Sequence, residues 1–240
     1  MIKPIKDLGQ NFLRNEYAIE KIVNLLELSN DDVILEIGPG EGVLTKEVLK
    51  SEKKFKLIAI DIDPRSIEEL KNINDSRFST ILGSYLKENT NSTKILGAIP
   101  YNITSPILHK ILEAEELPKK VVLVIQKEVA DKLTYKKGSY LKNFLNYFYD
   151  ISFAFKIDKE NFFPIPKVDS GVIVMDLKSS IPNFDKKKFS NFLHKIFRSP
   201  RKKINKVFSK EFLNECKVDD NKRPEDLTLS EIEILYEKEN

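Results

Sequence analysis

Cysteine is almost absent from this chain of 240 residues, with Cys216 the only one. No intramolecular disulfide can form, and the paired thiolates of a structural zinc site are excluded. Such a chain suits a reducing interior. Tryptophan is missing, and histidine occurs only at positions 109 and 194. His109 and His194 fall on helical patterns without metal-ligand spacing and without a supporting nucleophile, so no metal site is expected. No stretch approaches the ~20 apolar residues that a membrane span needs. Met1-Ile2-Lys3-Pro4-Ile5-Lys6 lacks the apolar run of a signal peptide. The expectation is a cytoplasmic chain, monomeric and without a membrane partner.

What is present describes an ordinary folded protein, with 41% hydrophobic and 32% charged residues. Its net charge is only +3, so any case for nucleic acid must rest on where the charges lie. They are concentrated. Between Lys186 and Lys210 the sequence carries Lys186, Lys187, Lys188, Lys195, Arg198, Arg201, Lys202, Lys203, Lys206 and Lys210 with no Asp or Glu among them. The rest of the chain is therefore net acidic, and its end is rich in Glu. A solvated helix face would account for the run, but contact with phosphates accounts better for the exclusion of acidic residues.

Short β-rich runs alternate with helical patterns. Val33–Ile37, Leu57–Asp61, Phe78–Leu82, Lys94–Ile99 and Val121–Gln126 each read as a strand buried on both faces, with a helix-length segment before the next. That alternation predicts a parallel, doubly wound α/β sheet. Ile151–Ile157 and Gly171–Leu177 are separated only by a Pro-broken loop, too short for a helical crossover, and are expected to pair antiparallel at one edge. After Ile181-Pro182 the β signal stops. Phe189, Phe192, Leu193, Ile196 and Phe197 form one apolar helical stripe, so residues 1–180 read as the sheet domain and 181–240 as a small helical domain.

Three segments carry chemistry. Glu36-Ile37-Gly38-Pro39-Gly40-Glu41-Gly42 follows the first strand and opens a helix, a turn whose glycines and unpaired N–H groups suit close approach by a ligand. A dinucleotide fingerprint would need glycine at position 43, where Val43 stands. Asp61, at the end of the second strand and about twenty residues on, can accept hydrogen bonds from both hydroxyls of a ribose. The two together suggest S-adenosylmethionine. The fourth strand ends in Ala98-Ile99-Pro100-Tyr101-Asn102, where open α/β sheets bind substrates and where an aromatic ring can stack on an extruded base.

At this point the sequence resembles a known family. Gly9-Gln10-Asn11-Phe12-Leu13, Leu35 to Gly42, Ile99-Pro100-Tyr101-Asn102-Ile103, Gln126-Lys127-Glu128-Val129-Ala130, Phe162 to Ser170 and Arg223 to Thr228 occur in the order seen in ribosomal RNA adenine N6-dimethyltransferases of the KsgA type. The resemblance covers essentially the whole chain. It implies a Rossmann-like methyltransferase domain, S-adenosylmethionine as donor, and two adjacent adenines of small-subunit rRNA as target. It further implies that residues 1–15 cover the donor, with Asn11 and Leu13 closing over it. Gly38 would lie against the donor and Asp61, where the family more often has Glu, would hold its ribose. Gln10, Glu36, Gly40 and Ile62 belong to the same donor-binding segments. Ile99 and Pro100 belong to the target side, where Tyr101 and Phe162 would sandwich the adenine. RNA contact would fall to Lys187, Lys188, Arg198, Arg201, Lys202, Lys203 and Lys206.

Two positions depart from the family pattern. Ala98, on both the donor and the target side, stands where the family has Asn, and Ser84 where it has Asp. By analogy with deleting one preorganised hydrogen-bonding group, the first loss implies a rate lower by roughly 10²- to 10³-fold. The second implies donor binding weaker by about 1 to 2 kcal/mol. Three readings stay open: a small-subunit rRNA dimethyltransferase of lowered activity, a large-subunit adenine methyltransferase of the macrolide-resistance type, and a non-catalytic RNA-binding assembly factor.

Overall fold

The structure, a computed structural model, describes residues 2–135, 137–181 and 185–239. Its centre is a seven-stranded sheet. In chain order the strands are β1 (Val33–Ile37), β2 (Lys56–Asp61), β3 (Phe78–Leu82), β4 (Lys94–Ala98), β5 (Lys120–Gln126), β6 (Tyr149–Ile157) and β7 (Ser170–Leu177). They lie side by side in the order 3-2-1-4-5-7-6. Strands β1 to β5 pair in parallel, and β7 runs antiparallel to β5. This is the doubly wound α/β sheet that the alternating pattern predicts and the Rossmann-like sheet that the resemblance implies, with every expected strand within two residues of its place.

Burial follows position in the sheet. The inner strands β1, β4, β5 and β7 are buried almost continuously, whereas β3 and β6, at the two edges, alternate or stay half exposed. Phe78–Leu82 is therefore not buried on both faces as expected, because no strand lies beyond it. Nor does a helix follow it: residues 83–93 form turns and irregular chain, where a run from Glu88 to Thr93 holds no apolar face to bury. On one face of the sheet, Ile34, Leu57, Leu96, Val122 and Val174 pack with Ile22 and Leu26 of the α1 segment (helix Glu16–Asn24) and Val48 of α2 (Val43–Leu49).

The amino ends of the strands are closed by charge. Lys94, buried at the start of β4, pairs with Asp32 at 2.8 Å and donates to the Glu27 carbonyl, while Lys120 bridges Glu27 and Asp176. The carboxyl ends are left for the site.

The chain divides into two compact units. Residues 1–131 and 151–177 form the first and residues 132–150 and 178–240 the second. The second is thus larger than the expected 181–240, for a packing reason. The helix Tyr140–Phe148 carries an aromatic face whose Tyr147 ring lies 4.4 Å from that of Phe189, and Phe189 lies 5.1 Å from Tyr236. Phe189, Phe192, Leu193 and Ile196 are the buried stripe of Lys186–Phe197, as their spacing predicts. That helix begins at the cap Asp185, whose carboxylate accepts from the N–H groups of Lys187 and Lys188. Pro182, where the helical part is expected to start, lies outside the described residues. Among the described residues no helix is long and apolar enough to cross a membrane, and no cluster of His, Cys, Asp and Glu could hold a metal.

Candidate active site

A cleft of about 220 Å³ opens at the carboxyl ends of β1, β2, β4 and β5, within the first unit. Its wall includes Gln10, Asn11, Leu13, Gly38, Gly40, Asp61, Ile62, Ser84, Ala98, Ile99, Pro100, Tyr101 and Phe162. Of the residues that the sequence assigns to donor and target, only Glu36 is not in the wall. It lies beneath the turn, 1% exposed.

The glycine turn is built by backbone geometry. Gly38, Gly40 and Gly42 all have positive φ, and Gly38 N–H donates to the Ile60 carbonyl at 2.9 Å, tying the turn to β2. Two of these glycines do different work. A Cβ on Gly38 would meet nothing nearer than the Ala98 carbonyl at 3.9 Å, so this position faces free space in the cleft. A Cβ on Gly40 would come within 2.8 Å of the Phe12 ring, so its lack of side chain serves packing of the N-terminal segment. Its N–H donates to the Asp61 carboxylate at 3.3 Å.

Asp61 is held by that bond and by the N–H of Asp63 at 2.9 Å. Burial nevertheless raises its pKa. A half-satisfied carboxylate at this depth gains from further donors, which is what a pair of ribose hydroxyls offers. Next door, the guanidinium of Arg65 holds the Asp63 carboxyl down to about 2. Asp63 also caps the helix Pro64–Leu70, whose proline stands at its first turn.

Glu36 has the opposite electrostatics. Its Oε2 accepts from the Thr45 hydroxyl at 2.5 Å, while its Oε1 is buried without a partner. Burial pushes its pKa up to about 7.

The N-terminal segment covers the cleft through a ladder that sequence reading alone does not reveal. Phe12 pairs with Phe163 and Leu13 with Phe162, antiparallel, in a two-stranded sheet apart from the main one. Arg14 N–H donates to the Asn161 carbonyl and its guanidinium pairs with Glu41 at 2.5 Å. Gln10 reaches Asp63 with its amide nitrogen at 2.7 Å and accepts from Ile5 N–H at 2.8 Å. Its carboxamide thus fastens the segment, and Asn11 is left facing the cleft with its amide nitrogen on the Gly9 carbonyl.

At the target end, Tyr101 and Phe162 both line the cleft. Phe162 is 5% exposed and Phe163 55%, so of the two adjacent rings it is Phe162 that can wall a base-sized space. The Tyr101 hydroxyl shares a hydrogen bond of 2.8 Å with Ser170, which is fully buried at the start of β7. Burial raises the Tyr101 pKa, and the phenol stays neutral. Ser170 ends the Phe162 to Ser170 segment of the resemblance, but nothing in its spacing shows that it meets a tyrosine 69 residues earlier.

Lys187, Lys188, Arg198, Arg201, Lys202, Lys203 and Lys206 are exposed in the second unit. Lys203 donates to Asn221. Arg198, Arg201, Lys202 and Lys206 have no carboxylate within ion-pair distance among the described residues, which leaves their charge available.

Residues 2–236 match the ribosomal RNA adenine dimethylase family. The ribosomal RNA small subunit methyltransferase A of Mycoplasmopsis synoviae is 39% identical, with 96% of this chain and 95% of that protein aligned. That of Hydrogenobaculum is 35% identical over 98% and 93%. Among solved structures, a dimethyladenosine transferase from Plasmodium falciparum aligns with TM-score 0.82 and 25% identity, over 93% of this chain and 95% of that one. The 23S rRNA methyltransferase ErmE aligns with TM-score 0.78 and 26% identity, over 95% and 99%. The chain belongs to the ribosomal RNA adenine dimethylase family.

Proposed function

We propose that this chain transfers methyl groups from S-adenosylmethionine to N6 of two adjacent adenines in small-subunit rRNA, acting as a cytoplasmic monomer on the pre-ribosomal small subunit. One observation carries the reading: the glycine turn, Asp61 and the Tyr101–Phe162 pair open onto a single cleft. The relatives at 39% and 35% identity bear small-subunit names, whereas the 23S rRNA methyltransferase is 26% identical, which favours the small subunit over the large one.

The residues present fit such a donor. Gly38 leaves space where a side chain would intrude, Asp61 keeps lone pairs for hydroxyl donors, and Asn11 and Leu13 lie over the cleft on a fastened segment. The donor supplies a methyl group on a sulfonium, which is already a good leaving group. The chain supplies position. Tyr101, pinned by Ser170, and Phe162 offer faces for stacking, and the Ile99 carbonyl offers an acceptor to the adenine amine. The basic surface of the second unit takes phosphates.

Ala98 and Ser84 favour a second reading, an RNA-binding assembly factor with little or no catalysis, since neither loss touches the fold. The test is transfer of labelled methyl to unmodified small subunits, with the modified bases mapped by mass spectrometry. Dimethylated adenines in small-subunit rRNA, lost in Asp61→Ala, support the leading reading. Methylation of large-subunit RNA would overturn it, and RNA binding without transfer would pass the role to the assembly factor.

A further inference from the structure

An adenine amine carries two N–H donors, and each needs an acceptor once it leaves water. The strand ends that floor the target end of this cleft do not provide two. Ala98 and Val124 stand opposite one another in the β4–β5 ladder, and both line the cleft beside Gly38. None of these side chains accepts a hydrogen bond. Asp61 ends β2 and Ser84 follows β3, two and three strands away from β4, or roughly 10 and 14 Å at the spacing of a sheet. The Tyr101 and Ser170 hydroxyls bond each other at the start of β7. The Ile99 carbonyl can serve one N–H of a free amine, and among the described residues no side chain of the strand ends that floor this part of the cleft accepts the second.

We propose that the cleft prefers N6,N6-dimethyladenine to adenine, so that this chain holds dimethylated RNA more tightly than the unmodified RNA. The inference rests on the reading of the cleft as the seat of a flipped adenine. A dimethylated amine has no N–H to leave unpaired, and its methyl groups extend the apolar surface that Ala98, Val124, Tyr101 and Phe162 present. An unpaired donor costs about tenfold in affinity, and each buried methyl adds roughly threefold to fourfold. A side-chain amide at position 98 would reverse the balance, supplying the missing acceptor and occupying the room that a methyl group needs.

The test uses the full chain and a synthetic small-subunit rRNA hairpin whose two adjacent adenines are either unmodified or N6,N6-dimethylated. Both affinities are measured by fluorescence anisotropy with S-adenosylhomocysteine present. The dimethylated hairpin is expected to bind about tenfold or more tightly. Ala98→Asn should abolish or invert that ratio and Ala98→Ser, a smaller acceptor, should reduce it, which separates recognition from any folding defect in one variant. Comparing the ratio among variants cancels any effect of methylation on the hairpin itself. Equal affinities in the unaltered chain, with both weakened by Tyr101→Ala, would overturn the preference while leaving the adenine seat intact. Should Tyr101→Ala change neither affinity, the base does not enter the cleft, and both the reading and the inference fall.

Discussion

Glu36 should make this fold less stable as the solution turns alkaline. Its carboxyl is 1% exposed, its Oε1 has no partner, and burial raises its pKa from 4.5 to about 7. A carboxyl whose folded pKa exceeds its unfolded value binds the proton more tightly in the native state. Its contribution is therefore fully present below the unfolded pKa near 4.5 and is lost as pH rises through about 7. At 1.36 kcal/mol per unit, the loss is on the order of 3 kcal/mol. Asp61 shifts in the same direction, so the measurement must isolate Glu36 by difference. Glu36→Gln keeps an acceptor for the Thr45 hydroxyl and removes the titration. Urea unfolding of both forms at pH 5.5 and 8.5 should show the unaltered chain losing more stability, with most of the excess absent from the variant. Equal pH dependence in the two forms would refute the reasoning.

Other outcomes follow from the same geometry. Ala98→Asn adds an amide at a strand end facing the cleft, so it should change stability by no more than about 1 kcal/mol and raise kcat by ~10²-fold with a smaller change in KM; single-turnover methyl transfer to unmodified subunits checks it. Asp61→Ala should abolish binding of S-adenosylhomocysteine in calorimetry, and unchanged affinity would remove Asp61 from the donor site. Replacing Arg201, Lys202 and Lys203 together with Ala should flatten the dependence of log affinity on log salt for small-subunit RNA. An unchanged slope would assign those side chains to a solvated face.

The sheet was legible because its inner strands are largely apolar: Val121 to Ile125 can sit nowhere but between two covered faces. The glycine turn and Asp61 were legible because their chemistry is local, the first within seven residues and the second at a strand end. What escaped depends on distant partners. Tyr140–Phe148 joins the second unit because its aromatic face meets Phe189, which in turn meets Tyr236, and its own periodicity can name neither. The pairing of Phe12 and Leu13 with Phe163 and Phe162, and the bond from Tyr101 to Ser170, likewise link segments that only the folded sheet brings together. Glu36 was placed with the donor by its neighbours in sequence, but the alternation of a strand turns it into the core, beside Thr45.

Ala98 and Ser84 show why fold and chemistry can part company in this chain. Parallel strands bury their middles against helices and end in an open cleft, so the last residue of β4 and the turn after β3 bear little of the packing. Ala98 contributes only its methyl group to the partly buried edge of the core, a role that most small side chains could fill. Tyr101, by contrast, is fixed by a buried hydrogen bond to Ser170, and Phe162 is itself part of the core and of the ladder that secures the N-terminal segment. Altering either of those would cost structure as well as recognition. The two rings proposed to stack on the base are thus tied to folding, whereas the side chain at position 98 is not. A chain under selection for folding and RNA binding alone would therefore retain Tyr101, Phe162 and the glycine turn and be free to lose an amide at position 98.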